Sequence, residues 1–273
     1  MNKPQKNDST QKLRLSLINP IEFINFLKKF STQEPNILIE LRGNEKITIK
    51  TATPQTRNII KVGEINFDEI FISDNENIPE NIFIGLYNIS NFINTFDLFA
   101  EDKIDIILYY EMNQNGEYIS KKTTIKTENL KYHFANAPMK LFEYMTDDIA
   151  NNIFDISASC ANFEMDKKLL SKIQRLVANE ASKTFTIIAE KNKNIFINGK
   201  QFELKLTTTQ STNDDISVNI GRQYLNVLDK DTYDVYIVSK GLLFKSRDTI
   251  TNIAIARDKD IQSIIDNPDL EIV

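Results

Sequence analysis

Hydrophobic residues recur along this chain at two different spacings, and each spacing predicts a different kind of element. Apolar side chains three and four positions apart, the spacing of one helix face, occupy 20–30, 89–99, 166–178 and, more briefly, 221–228. The first of these helices follows an Asn-Pro pair at 19–20, which suits an N-cap and a first-turn proline. The pattern therefore predicts two helices in each half of the chain.

Most of the remaining chain alternates between apolar and polar residues, which predicts strands. Turns that contain glycine separate several of them, at Gly43, Gly116, Gly199 and Gly241. The acidic stretch 64–80 is less regular, and no strand is predicted there. The predicted strands are 13–18, 36–42, 46–51, 57–62, 82–87, 103–111, 117–126, 130–135, 184–190, 194–198, 201–208, 216–220, 233–238, 242–246 and 250–256.

The two halves of the chain place these elements in the same order. Residues 86–110 and 218–240 each consist of a strand, a short amphipathic helix, an acid-containing turn and an alternating strand. We therefore predict an α+β protein made of two copies of one unit, each with two helices and a larger antiparallel sheet. The expected organisation is a tail at 1–11, a first domain at 12–136, a connector at 137–157, a second domain at 158–258 and a tail at 259–273.

Charge is segregated along the chain although the total is small. Lys and Arg number 33 against 38 Asp and Glu, a net charge of −5, which argues against a protein that coats nucleic acid with its whole surface. The helix at 166–178 nevertheless carries +3, four bases minus one acid, and places Lys168, Lys172 and Arg175 along one face. Solvation explains such a face in most proteins, and contact with phosphates is the alternative.

The residues that usually carry catalysis are scarce. The chain has one His, one Cys and seven glycines, and the glycines form none of the common nucleotide-binding motifs. Acid pairs such as Asp147-Asp148 and Asp214-Asp215 lie in turn-like contexts that favour solvated loops. We therefore expect no enzymatic activity, no cofactor and no metal site. The polar start of the chain and the lack of a long apolar run favour a cytoplasmic protein, in the host bacterium if the chain is viral.

Three segments carry a resemblance to a known family. They are FIGLYNISNFINTFDLFAEDKIDIILYY at 83–110, MDKKLLSKIQRLVANEASKTFTIIAEKNKNIFING at 165–199 and VNIGRQYLNVLDKDTYDVYIVSKGLLFKSRDTITNIAIARD at 218–258. The duplicated unit, with its basic helix faces and acidic body, resembles the DNA sliding clamps of tailed phages and the proliferating cell nuclear antigen family. That resemblance implies two clamp domains per protomer and three protomers in a ring, with antiparallel sheets outside and two helices per domain inside.

The resemblance also implies where partners bind. Double-stranded DNA would be contacted without sequence specificity in the channel, the next subunit along edge strands at 130–135 and 201–208, and a partner peptide at the connector. The corresponding channel residues are Lys28, Lys29, Lys168, Lys172, Arg175 and Arg222. The corresponding interface residues are Tyr132, Phe134, Phe202 and Leu204, and the pocket residues are Met139, Leu141, Phe142 and Tyr144.

The function that follows from this resemblance is that of a DNA polymerase processivity factor. A homotrimeric ring would tether the replicative polymerase to duplex DNA and would need an ATP-dependent clamp loader, with no membrane involved. One alternative is a non-enzymatic structural or interaction protein of a phage virion. The apolar connector residues have an alternative role as well, since they could simply pin the connector onto the sheets. An enzyme ranks third.

Overall fold

The computed structural model describes residues 10–31, 35–53, 58–75, 78–99, 103–142, 145, 153–179, 184–191, 194–206, 210–247 and 251–256. Their contacts divide the chain into two compact units. Unit 1 takes its described residues from Met1–Ser31, Pro35–Ile49 and Glu64–Glu143. Unit 2 takes its own from Thr32–Glu34, Lys50–Gly63 and Tyr144–Val273, so a segment early in the chain belongs to the later unit.

The first half of the chain forms nine strands and three α-helices among the described residues. The strands are β1 (Gln11–Leu17), β2 (Ile37–Arg42), β3 (Lys46–Ala52), β4 (Ile59–Asn66), β5 (Phe71–Ser73), β6 (Ile82–Leu86), β7 (Asp105–Met112), β8 (Tyr118–Lys126) and β9 (Lys131–Ala135). The helices are α1 (Pro20–Lys28), α2 (Phe67–Ile70) and α3 (Ile89–Phe96), with 3₁₀-helices at Asp97–Phe99 and Met139–Leu141.

The second half forms nine further strands in its described part. They are β10 (Ala161–Met165), β11 (Thr184–Ala189), β12 (Ile195–Asn198), β13 (Glu203–Lys205), β14 (Gln210–Thr212), β15 (Ile216–Gly221), β16 (Tyr233–Val238), β17 (Gly241–Ser246) and β18 (Thr251–Ala256). The helices are α4 (Lys167–Ala178) and a 3₁₀-helix at Arg222–Val227.

In unit 1 the strands run in the order β5-β1-β7-β8-β6-β2, and β9 pairs with β8. The pairings are antiparallel except for β6 with β8, which are parallel. Strand residues that alternate inward meet the apolar faces of α1 and α3 in one core. Phe23 of α1 packs edge-on against Phe96 of α3, with ring centroids 6.0 Å apart, so the two helices are fixed side by side.

In unit 2 two antiparallel sheets enclose a separate core. One runs β14-β10-β16-β17-β18 and ends on the 59–63 part of β4, with Thr251 opposite Gly63 and Ile255 opposite Ile59. The other runs β13-β12-β11-β15. The buried residues Leu170, Ile173 and Val177 of α4 face this core at helical spacing.

The pairings of unit 1 recur in unit 2, which confirms the predicted duplication. The first strand of each half pairs with a short edge strand and with the strand after the second helix, as β1 does with β5 and β7, and β10 with β14 and β16. The strands after the second helix form a meander in both cases. Likewise β2 pairs with β6, and β11 with β15.

Several element boundaries differ from the prediction. The 64–80 stretch was predicted to lack strands, but it contains α2 and β5, which are each too short to show a period. The second helix ends at Phe96 and continues as a 3₁₀-helix, and the helix expected at 221–228 is a 3₁₀-helix throughout. The strand expected at 201–208 is described only as β13. Both predicted tails lie almost entirely outside the described residues.

An ion pair between a buried lysine and a partly exposed aspartate holds β4 in unit 2. Lys61 is 0% exposed, and its Nζ lies 2.7 Å from Oδ2 of Asp229, just after the 3₁₀-helix Arg222–Val227. Beside it, Nδ2 of the buried Asn58 donates to the hydroxyl of Tyr224 over 2.6 Å. Because a buried ammonium without its carboxylate is costly, these contacts fix the junction of β4 with the rest of the unit.

Replacing Asp229 by Ala therefore tests the junction. We expect Asp229→Ala to lower the free energy of unfolding in urea by about 1–3 kcal/mol, because it removes a carboxylate partner of the buried Lys61 ammonium. The double variant Lys61→Met/Asp229→Ala should recover most of that loss. The control is Glu64→Gln, which removes the exposed pair with Lys46 and should cost under about 1 kcal/mol. Equal losses in Asp229→Ala and Glu64→Gln would contradict the assignment.

Candidate nucleic-acid interface

The helix α4 separates apolar and basic residues onto two faces. Asp166 caps its N-terminus, because its Oδ1 accepts from the backbone N–H of Leu169 over 2.6 Å. Leu170, Ile173 and Val177 are buried, whereas Lys167, Lys168, Lys172 and Arg175 are exposed. The packing of the apolar face therefore holds a ridge of cations toward solvent.

The 3₁₀-helix Arg222–Val227 lies beside the C-terminal part of α4. Gln174 links them, since its Nε2 donates to the carbonyl oxygen of Leu225 over 3.0 Å. Between the two helices lies an open cleft of about 310 Å³. Its lining combines one guanidinium with amide and apolar side chains: Gln174, Val177, Ala178, Arg222, Gln223, Leu225 and Asn226.

The helices of unit 1 present a different surface. The exposed residues of α3 are Ser90, Asn91 and Asn94, which are polar and uncharged. Asn88 caps this helix in the left-handed conformation, at φ 48°, and its Oδ1 accepts from the N–H of Asn91 over 3.1 Å. On α1, Lys28 is exposed and Lys29 is half-buried.

The structure thus exposes five of the six predicted channel residues, and it brings Lys168, Lys172 and Arg175 together on one helix. Lys167 is a further exposed base of α4 that the site prediction left out, although the sequence places it at the start of the helix. The linking role of Gln174 was also missed. Its partner is a backbone atom 51 residues away, which leaves no local signal in the sequence.

Both predicted interface strands are edges of their sheets. Among the described residues, β9 pairs only with β8, and β13 only with β12. Tyr132 is 38% exposed, and Phe134 is half-buried against Phe92 of α3, with ring centroids 5.0 Å apart. In unit 2, Phe202 and Leu204 pack partly against the core at the β13 edge. Each edge therefore combines unpaired backbone with partly exposed apolar side chains.

The first part of the connector, residues 137–142, packs against unit 1. The N–H of Ala137 donates to the carbonyl of Gly85 over 2.8 Å, and Phe142 is buried. Met139 is half-buried and Leu141 is exposed, whereas Tyr144 lies outside the described residues. The assignment of these four residues to a partner-peptide pocket stays a prediction.

Gly85 is required for this pinning. A Cβ at position 85 would lie 2.6 Å from both the carbonyl oxygen of Ala137 and the Phe142 ring, inside contact distance. We expect Gly85→Ala to lower the free energy of unfolding by about 1–3 kcal/mol and to open a protease-sensitive site near residue 140. Limited proteolysis and urea unfolding check this, with the exposed Leu141→Ala as control. A Gly85→Ala protein as stable and protease-resistant as that control would refute the pinning.

The described residues were also compared with the requirements of a metal site and of a membrane-spanning helix, and they meet neither. In the part of the chain that the structure describes, no three His, Cys, Asp or Glu side chains are grouped so that they could hold a metal ion. No helix among the described residues is long and apolar enough to cross a membrane.

Comparison with solved structures decides the fold. The DNA polymerase III beta chain of Streptococcus pneumoniae TIGR4 superposes with a TM-score of 0.61 over 91% of this chain, at 17% identity. A putative DNA polymerase III beta subunit from Eubacterium rectale ATCC 33656 gives 0.60 over 92%, at 12% identity. The PCNA2–PCNA3 complex of Sulfolobus tokodaii gives 0.56 over 89%, also at 12% identity. The chain has the sliding-clamp fold.

The sequence comparisons add no relative: no family model and no curated protein matches this chain. The share of each neighbour that is covered differs. The chain spans 65% and 66% of the two bacterial beta chains but 98% of the Sulfolobus tokodaii chain. This chain therefore corresponds in size to nearly the whole Sulfolobus tokodaii chain and to about two thirds of each bacterial beta chain.

Proposed function

We propose that this protein is a DNA polymerase processivity factor, a ring-shaped sliding clamp that encircles duplex DNA and tethers the replicative polymerase. The observation that carries the proposal is the exposed ridge of Lys168, Lys172 and Arg175 on a helix of a sliding-clamp fold whose net charge is −5. Lys and Arg contact phosphates without reading bases, so such a surface binds duplex weakly and leaves it free to slide.

The ring would close through a strand pairing that the chain already uses once. Two pairs of strands occupy equivalent places in the two halves of the chain. β4 and β13 each follow two strands after the first helix, and β9 and β18 each end the meander. Residues 59–63 of β4 pair with β18, whereas the counterparts β13 and β9 have unpaired edges in the described chain. We infer that β13 of one copy pairs with β9 of the next, which satisfies both edges and places Phe202 and Leu204 near Tyr132 and Phe134.

Three copies are the expected number. The chain covers 98% of a PCNA-type protomer, and the resemblance to that family implies three protomers per ring. Such a trimer would carry three times −5, a net charge of −15. Repulsion by this acidic body would discourage DNA from binding anywhere except along the basic helices.

The mechanism is mechanical rather than chemical. Closure of the ring prevents escape from the duplex, and the tethered polymerase remains near the primer end. An ATP-dependent loader would open the ring, and polymerase or loader peptides would bind near the connector. Leu141 and Met139 are the predicted pocket residues with exposed surface for that contact, because Phe142 is occupied by its packing near Gly85.

Charge reversal tests the DNA-binding face. We expect the triple variant Lys168→Glu/Lys172→Glu/Arg175→Glu to lose polymerase stimulation in a primer-extension assay, because its helix now repels phosphates, while its oligomeric mass stays unchanged.

The matched control applies the same charge change to exposed strand residues, as Lys12→Glu/Lys126→Glu/Lys245→Glu. This variant should retain stimulation. Retained stimulation in the helix variant, or equal loss in both variants, would remove the assignment of α4 to the channel.

Light scattering tests the assembly. The wild-type chain of 31.5 kDa should give about 94.5 kDa, three times its mass, across micromolar concentrations. Tyr132→Asp should shift this mass toward 31.5 kDa, because it buries a charge at the pairing edge. Tyr87→Asp is the control, since Tyr87 is similarly exposed, at 47%, but lies off the edge strands. A wild-type monomer or open-ended polymer would favour the virion-component alternative instead.

A further inference from the structure

The duplication allows the helices of the two units to be compared position by position. A shift of 147 residues sets the buried Phe23, Phe26 and Phe30 of the α1 region onto Leu170, Ile173 and Val177 of the α4 region. A shift of 132 residues sets the buried Phe92 and Ile93 of α3 onto Tyr224 and Leu225. Because the core-facing positions coincide, the exposed positions can be compared directly.

Three exposed positions differ in the same direction. Lys168 and Lys172 of α4 correspond to Ile21 and Asn25 of α1, and Arg222 corresponds to Ser90 of α3. At each of these positions unit 2 has a base and unit 1 has an uncharged side chain. Ile21 is 74% exposed, so unit 1 presents an isoleucine to solvent where unit 2 presents an ammonium.

The remaining positions reduce this contrast without removing it. Lys28 corresponds to Arg175, so one exposed base is shared. Lys29 corresponds to the half-buried Leu176 and is itself half-buried, which places it beside the ridge rather than on it. Over matched positions, residues 166–178 and 222–227 carry +4, five bases minus Asp166. Residues 19–31 and 90–95 carry +1, Lys28 and Lys29 minus Glu22.

The cleft in unit 2 adds directional donors to this charge. Arg222, Gln223 and Asn226 line it, and guanidinium and amide N–H groups can donate to phosphate oxygens. Gly221 makes room for one of them, because a Cβ there would lie 2.7 Å from Nε2 of Gln223. On α3 the amides recur, because Asn91 and Asn94 stand at the positions of Gln223 and Asn226, but Ser90 replaces the guanidinium of Arg222.

We propose that unit 2 supplies most of the phosphate contacts, while the helices of unit 1 line the duplex as a nearly neutral face. This inference rests on the proposed clamp function and deepens it. Each copy would then contact the phosphates of the DNA through the helices of unit 2, while the helices of unit 1 face the duplex with almost no net charge. Such a channel makes fewer phosphate contacts than a uniformly basic one and binds DNA with lower affinity. The free-energy barrier to moving the protein from one phosphate to the next is therefore lower.

The experiment measures the affinity of the full-length protein for a fluorescent duplex by anisotropy over a series of salt concentrations. Each phosphate contact contributes about 0.9 to the slope of log affinity against log salt. The variant Lys168→Gln/Lys172→Gln/Arg222→Gln should lower that slope by about 2.7 for each copy that contacts the duplex, which is up to about 8 for a ring of three copies. Lys28→Gln, in unit 1, should lower it by at most about 0.9 for each such copy.

The converse variant transfers the unit 2 pattern to unit 1. Ile21→Lys/Asn25→Lys/Ser90→Arg should raise both the affinity and the slope, the slope by about 2.7 for each copy that contacts the duplex, if these positions line the duplex. All the substituted side chains are exposed, and light scattering with circular dichroism would verify that each variant keeps its fold and mass.

The outcomes separate this inference from the clamp function itself. Suppose that the wild type binds duplex and stimulates polymerase. Any one of three results would then overturn this inference alone: an unchanged slope in the unit 2 variant, a slope lowered as much by Lys28→Gln as by the unit 2 variant, or an unchanged slope and affinity in the converse variant. A wild type that shows neither salt-dependent binding nor stimulation would overturn both proposals.

Discussion

A strand at the edge of a sheet exposes backbone N–H and C=O groups, and a protein must pair such an edge or shield it. In this chain β18 pairs with residues 59–63 of β4, which satisfies one such edge. The ion pair of the buried Lys61 with Asp229 stabilises this pairing. The duplication produces the same two edges again, in β9 and β13, with no partner among the described residues. Our account of assembly follows from that repetition.

The second constraint is electrostatic. A net charge of −5 opposes DNA binding by the surface as a whole, so any contact has to be confined to a local cluster of bases. The packing of α4 provides such confinement, because burial of Leu170, Ile173 and Val177 determines which side chains remain outside. The same burial pattern on α1 leaves Ile21 and Asn25 outside instead. Equivalent packing therefore supports different surfaces in the two units.

A structural feature could be predicted from the sequence when the residues that determine it are close together in the chain. The faces of α4 were predictable because helical periodicity acts over a few residues, and the duplicated order of elements was predictable because each element has its own pattern. The three residues of β5 are too few to alternate, so they were missed. Lys61 lies in an alternating segment that gives no sign of its burial, because its partner Asp229 is 168 residues away. The role of Gly85 depends equally on the return of the chain at Ala137 and Phe142.

The central claim is that copies of this chain close into a ring around a hole lined by helices. Electron microscopy of the purified full-length protein at micromolar concentration tests it most directly. The account predicts closed rings of three copies with pseudo-sixfold outlines and a central hole wide enough for duplex DNA. Isolated single copies, or open filaments in which the β9 and β13 contacts continue without closing, would contradict it.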